Sequence, residues 1–142
     1  MKKILVSITL LFAICSASYC EQIEERLPKN ICSHFLKEVQ NKNVSKAYDY
    51  LFISSPIVKL KPQDIDVVKR QTEMVAQLYG EITGFDFIRE EAFGTSIVRL
   101  VYILKFEMMA TTWEFYFYKP HGEWFLAKVM FNDQFDLLEP KK

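Results

Sequence analysis

Glycine is scarce in this 142-residue chain, with four in all, and histidine scarcer still, with two. So few glycines exclude the glycine-rich loops that cradle phosphates in nucleotide-binding proteins. Two histidines, His34 and His121, make a three-ligand metal centre hard to assemble, and His34 with Glu38, four apart on a helical stretch, reads as a solvated face. A Gly-x-Ser-x-Gly elbow for a nucleophilic triad is also missing. Excess charge of either sign is lacking, since 18 Lys and Arg balance 18 Asp and Glu. That leaves no electrostatic footprint for nucleic acid or an anionic lipid surface. Beyond residue 14 every apolar run is broken by charge, so no later segment reads as membrane-spanning. Nothing implies a cofactor.

What is present begins at the N-terminus. Lys2 and Lys3 precede residues 4–14, apolar apart from Ser7 and Thr9, and small residues follow at Ser16, Ala17 and Ser18. This is the three-part pattern of a secretory signal with cleavage after Ser18, and the apolar stretch falls short of the roughly 20 residues a spanning helix needs. The expected organisation is a signal peptide over 1–18 and a single α+β domain over 19–142, periplasmic or secreted, with no membrane attachment after cleavage. Ile14 and Tyr19 stand before Cys15 and Cys20 where lipidation wants a small residue, which argues against a lipid anchor. Losing Lys2 and Lys3 tips the domain faintly acidic. Half the chain is apolar and 15% aromatic, which excludes disorder. Cys20 and Cys32 remain. In an oxidising compartment they read first as a disulfide, closing a loop for about 2–3 kcal/mol, and otherwise as two free thiols.

The domain divides into a helical half and a strand half. Leu27, Ile31, Phe35, Leu36 and Val39 recur at helical spacing up to about residue 40. Residues 41–43 form a turn, and Asn43 can cap a short helix carrying Val44, Ala47, Tyr48, Leu51 and Phe52. Asn43-Val44-Ser45 also matches a glycosylation sequon, but reads as the cap. Pro62 and Asp64 open the longest helix, with Ile65, Val68, Thr72, Val75 and Tyr79 on one stripe and Gly80 as a left-handed terminator. After Gly80 the period becomes two. Thr83, Phe85 and Phe87 alternate in a first strand. Val98, Leu100, Tyr102, Leu104, Phe106 and Met108 share one face of a second, with Ile97, Arg99, Val101, Ile103, Lys105 and Glu107 opposite.

A two-residue hairpin at Met109-Ala110 would set Met108 against Thr111, Phe106 against Trp113 and Leu104 against Phe115. Trp113, Phe115 and Phe117 then join the apolar face. In the fourth strand either Trp124, Leu126 and Met130 or Phe125, Ala127, Val129 and Phe131 point inward. The outer face would show Val101, Ile103, Tyr116 and Tyr118, a large patch for a monomer. A homodimer through that face would bury it; the alternative cover is the C-terminal segment with Phe135, Leu137 and Leu138.

Helix, short helix, long helix and then a meander of long strands resembles the nuclear transport factor 2-like superfamily, which includes ketosteroid isomerases and polyketide cyclases and has a cystatin-like, cone-shaped fold. The resemblance spans essentially all of residues 19–142. It rests on element order, on residues 78–82 (Leu-Tyr-Gly-Glu-Ile), on residues 113–120 (Trp-Glu-Phe-Tyr-Phe-Tyr-Lys-Pro), on Trp124 and on Phe131-Asn132-Asp133. These segments look like those of small exported bacterial proteins of unassigned role. It implies N-terminal helices packed on a curved, mostly antiparallel four-stranded sheet.

The resemblance also implies a conical pocket, in whose enzymes a carboxylate base works beside a tyrosine that polarises a carbonyl. Here Tyr48, Tyr79 and Tyr102, with Trp113 and Phe115, are the candidate pocket lining, and each is equally at home in a core. No carboxylate belongs with them, because Asp86 and Glu114 alternate outward, and no isomerase motif residue can be matched to a position here. The expected function is an exported, non-catalytic binding module for an apolar small molecule or a protein partner. An isomerase or cyclase using a pocket carboxylate and tyrosines is the alternative.

Overall fold

A computed structural model describes residues 27–135 and Leu138. The expected signal peptide over 1–18, Cys15, Cys20 and Leu137 lie outside these described residues. Four helices precede four strands: α1 (Pro28–Gln40), α2 (Val44–Leu51), α3 (Ile57–Leu60), α4 (Pro62–Tyr79), β1 (Ile82–Phe93), β2 (Ile97–Phe106), β3 (Ala110–Tyr118) and β4 (Phe125–Asn132). The strands form one antiparallel sheet in the order β1-β2-β3-β4. Among the described residues no helix is long and apolar enough to cross a membrane.

Proline at the start of α1 suits the first turn, where its missing N–H goes unnoticed. Cys32, Phe35, Leu36 and Val39 make the buried stripe, at the spacing that puts them on one face. The helix ends in paired reverse hydrogen bonds, Lys42 N–H to Val39 O and Asn43 N–H to Glu38 O, with Lys42 left-handed at φ 64°. Asn43 therefore does not cap α2: its side-chain amide donates to Glu38 Oε2 at 3.0 Å. The single turn of α3 carries too short a pattern to be read from sequence. Along α4, Ile65, Val68, Val75 and Tyr79 pack on the core and Thr72 is buried. Gly80 follows at φ 86°, ψ −162°, a region open essentially to glycine alone, and a Cβ there would stand 2.7 Å from Glu107 Oε2.

The sheet curves because three residues are bulged. Thr83 and Ile88 are extra in β1 and Ala127 is extra in β4, and each bulge bends its strand. Thr83 is thereby turned out of the face it was expected to share with Phe85, its hydroxyl donating to Lys105 O. In β4 the bulge flips the alternation part-way. Leu126 lies inward opposite Phe117, and beyond Ala127 it is Val129 and Phe131 that face Phe115 and Trp113. Each of the two expected inward sets is thus right for part of the strand.

The β2–β3 register differs from expectation. Tyr102 lies opposite Trp113 and Leu104 opposite Thr111. The turn is longer than two residues because Glu107 N–H and Met108 N–H are drawn to Glu81 O and Tyr79 O at the foot of α4, while Phe106 N–H closes on Met109 O. The slip is even, so Trp113, Phe115 and Phe117 still join the helix-facing side. Met108 is lost from that side and is 68% exposed.

The outer face is covered within the chain. Val101 is fully buried. Thr112 Oγ1 meets Gln134 O at 3.1 Å, and Arg89 Nη1 donates to Leu138 O at 2.9 Å. Gln134 thus meets that face at β3 and Leu138 at β1. Of the residues expected to form an exposed patch there, Val101 is buried, Ile103 and Tyr116 are half-buried and Tyr118 is exposed.

Candidate functional site

Five residues were expected to line a cone-shaped pocket; Tyr48, Tyr102, Trp113 and Phe115 are core side chains instead, and Tyr79 packs at the edge of that core. Phe35 of α1 reaches its centre, with ring centroids 4.9 Å from Tyr48, 5.6 Å from Trp113 and 5.6 Å from Phe115. Tyr48, Tyr102, Trp113 and Phe115 are all buried to within 1%. Thr72 Oγ1 donates to Val68 O at 2.9 Å, which leaves it to accept from Tyr48 OH at 2.8 Å. Burial holds the Tyr48 phenol well above its ordinary range. Tyr102 OH donates to Lys29 O at 3.3 Å, and burial pushes its pKa up to about 12 despite a hydrogen bond with Ser33. The Trp113 indole N–H goes to Thr111 Oγ1 at 2.9 Å. Tyr79 alone reaches the surface, donating to Asp133 Oδ2 at 3.0 Å, and that carboxylate raises its pKa. Every one of these protons is engaged by the protein itself, so none is aimed at a substrate carbonyl.

The carboxylates stand where alternation put them, away from the cone. Asp86 pairs with Lys105 Nζ at 2.9 Å in solvent. Glu114 lies on the outer face but is buried, which alternation did not foresee. Its Oε2 takes Arg99 Nε at 2.6 Å and Tyr116 OH at 3.1 Å. Arg99 Nη1 meets Glu91 Oε2 at 2.6 Å, and Arg89 Nε meets Glu91 Oε1 at 2.9 Å. Burial works against the Glu91 charge, yet the two arginines overcome it and hold its pKa below the usual value. The cluster anchors the C-terminal segment through Arg89. His34 packs against Tyr50 at a tilt of 40° with centroids 4.0 Å apart, and Glu38 takes Asn43 and Lys46.

Cys32 is a free thiol, not a disulfide partner. It sits fully buried on the inward stripe of α1, where burial raises its pKa well above normal. A bridge would require a second backbone to enter the core.

Open space lies on the two flanks of α4. One cleft, of about 630 Å³, is lined by Gln71, Met74, Val75, Gln77, Leu78 and Phe131. Its floor is rigid, because Phe131 stacks on Trp113 at 4.4 Å and 16°. The hydrogen bond from Tyr79 to Asp133 ties α4 to the end of β4 beside it. Met74 and Leu78 are 65% and 64% exposed. The second cleft, of about 450 Å³, lies among α2, α3 and the N-terminal half of α4. Of the expected lining residues only Tyr48 borders it. The first cleft went unread in the sequence, although Val67, Met74 and Leu78 form a second apolar stripe at seven- and four-residue spacing beside the core-facing one.

No known protein family and no curated protein matches this chain by sequence. Among solved structures, a Campylobacter jejuni protein provisionally named an NTF2-like transpeptidase aligns with a TM-score of 0.53 and 12% identity, over 70% of this chain and 95% of that one. The chain has the nuclear transport factor 2-like fold. At that identity the likeness is one of fold, and this fold hosts many functions. Within an NTF2-like frame, the departure here is a cone occupied by the chain's own aromatic rings.

Proposed function

We propose that this chain is a non-catalytic binding module, and that an apolar small molecule lies in the cleft between the C-terminal half of α4 and the end of β4. The observation that carries this reading is the chemistry of that cleft: Met74, Val75, Leu78 and Phe131 supply apolar wall, Gln71 and Gln77 supply amides, and among the described residues no ionisable group lines it. Its volume falls within the range of about 300–1,000 Å³ common for small-molecule sites. Methionine adapts its shape to what it covers, while the stacked Phe131 and Trp113 do not yield. The module is proposed to act outside the cytoplasm, as Lys2, Lys3, the apolar residues 4–14 and Ser16-Ala17-Ser18 support. The mass of the protein recovered from fractionated cells checks that.

Catalysis is the weaker reading. Acyl transfer, the chemistry in the name of the C. jejuni protein, needs an accessible nucleophile beside a base. Cys32 is buried, and the Ser55 hydroxyl donates to Leu126 O at 2.6 Å while accepting from Ile57 N–H.

A neutral fluorophore such as N-phenylnaphthylamine tests the proposal. Binding is expected to quench Trp113 through Phe131, and Leu78→Gln with Met74→Gln should weaken it by about tenfold or more, the worth of one buried apolar side chain. Unchanged affinity in the double variant would rule the cleft out.

A further inference from the structure

The second cleft differs from the first in carrying both signs of charge. Asp49 of α2 pairs with Lys69 of α4 at 2.9 Å. Lys59 of α3 and Asp66 of α4 also line it and have no ion-pair partner among the described residues. Two carboxylates and two ammonium groups therefore surround one space of about 450 Å³. A ligand of a single charge meets as many repelling groups as attracting ones there. A ligand carrying both charges can set its cation toward Asp49 and Asp66 and its anion toward Lys59 and Lys69.

Between those charges the walls are apolar. Ile65 and the buried Phe52 form the back, and Phe52 stacks on Tyr48 with centroids 6.2 Å apart. Ile53 and Val58 stand at the rim, 72% and 45% exposed, so apolar surface there is left uncovered by the chain itself. The rim is not loose. Ser55 ties the turn after α2 to Leu126 O of β4 and to the N–H of Ile57 in α3, and a preset wall lowers the ordering cost of binding. Lys69 is only 22% exposed at its side chain, and Asp49 occupies one of its three donors, leaving the others for an acceptor.

From this arrangement we propose a second ligand site, in the cleft among α2, α3 and the N-terminal half of α4, that takes a zwitterion with an apolar side chain, the chemistry of a short unblocked peptide. It is independent of the apolar cleft on the other flank of α4, since the two share no lining residue.

The probe is leucyl-phenylalanine with free termini, compared with its N-acetylated, C-amidated form, in an amide-resolved NMR titration of the protein. The free dipeptide is expected to shift resonances of α2, α3 and the first half of α4 saturably. The blocked form should bind about tenfold more weakly, and added salt should weaken the free form alone. Lys59→Gln and Asp66→Asn, both at exposed positions and with no ion-pair partner among the described residues, should each weaken the free form about threefold to tenfold. Equal affinity for blocked and free forms would overturn the proposal. So would shifts confined to Gln71, Leu78 and Phe131, or no saturation at about 10 mM. Because the fluorophore test reads the other flank, either site can fail while the other stands.

Discussion

Along β2, Leu100 and Tyr102 face the helices while Arg99 and Val101 face the C-terminal segment, and all four are buried. The two faces of one sheet reach that state by different chemistry. On the helix side Phe35, Tyr48, Trp113 and Phe115 bury large ring areas, each worth about 1.5–3 kcal/mol or more of transfer energy. On the outer side Arg99, Glu114, Glu91 and Arg89 give up water for one another, an exchange that roughly breaks even. The first face supplies stability. The second holds the C-terminal segment by a hydrogen bond, from Arg89 Nη1 to Leu138 O.

Several substitutions would break or sharpen this contrast. Trp113→Ala should cost the most, about 3–5 kcal/mol, seen as a lower urea midpoint; a loss below about 1 kcal/mol would mean the cone is not the close-packed core described. Glu114→Ala should cost about 3 kcal/mol, by leaving the buried Arg99 without one of its two carboxylate partners. Arg99→Met combined with Glu114→Leu should cost clearly less than either single change, and the opposite ranking would show that the ion pair itself stabilises the fold. Tyr48→Phe, which removes only the hydrogen bond to Thr72, should cost about 1 kcal/mol.

The pH dependence belongs to the outer face as well. Glu91 titrates below its unfolded value, which is about 4.3. Its contribution is therefore complete above that pH and is lost as pH falls through the lower folded value. Glu91→Gln should flatten the acid limb of a stability–pH curve, without abolishing it because Glu38 is lowered too. A limb unchanged by the substitution would remove Glu91 from the account.

What could be read from sequence was parity; what could not was depth. Two-residue alternation placed Val98, Leu100, Tyr102, Leu104 and Phe106 on the helix side, and all five are buried there. Met108 failed because Tyr79 O takes its N–H into the turn, an interaction between residues 29 positions apart that no periodicity records. The same holds for the bulges at Thr83, Ile88 and Ala127, each of which resets the alternation after it. Tyr48 and Tyr102 were correctly faced inward, but whether they line a space or occupy it depends on Phe35 reaching them from α1. The buried Arg99–Glu114 pair was hidden for a similar reason: two polar residues on an outward face look solvated until another segment crosses them. The apolar cleft was the one missed feature with a sequence signal, the second stripe on α4.

The hydroxyl of Ser55 has a consequence beyond the cleft that it shapes. β4 is the last strand of the sheet, and an open edge of that kind invites a stranger's backbone to add on as a fifth strand. By taking the carbonyl of Leu126, Ser55 removes an acceptor such an addition would need, and the bulge at Ala127 beside it spoils the straight run. At the opposite border the two bulges of β1 do the same work. A domain with an aromatic-rich sheet is thereby kept from adding strands edge to edge.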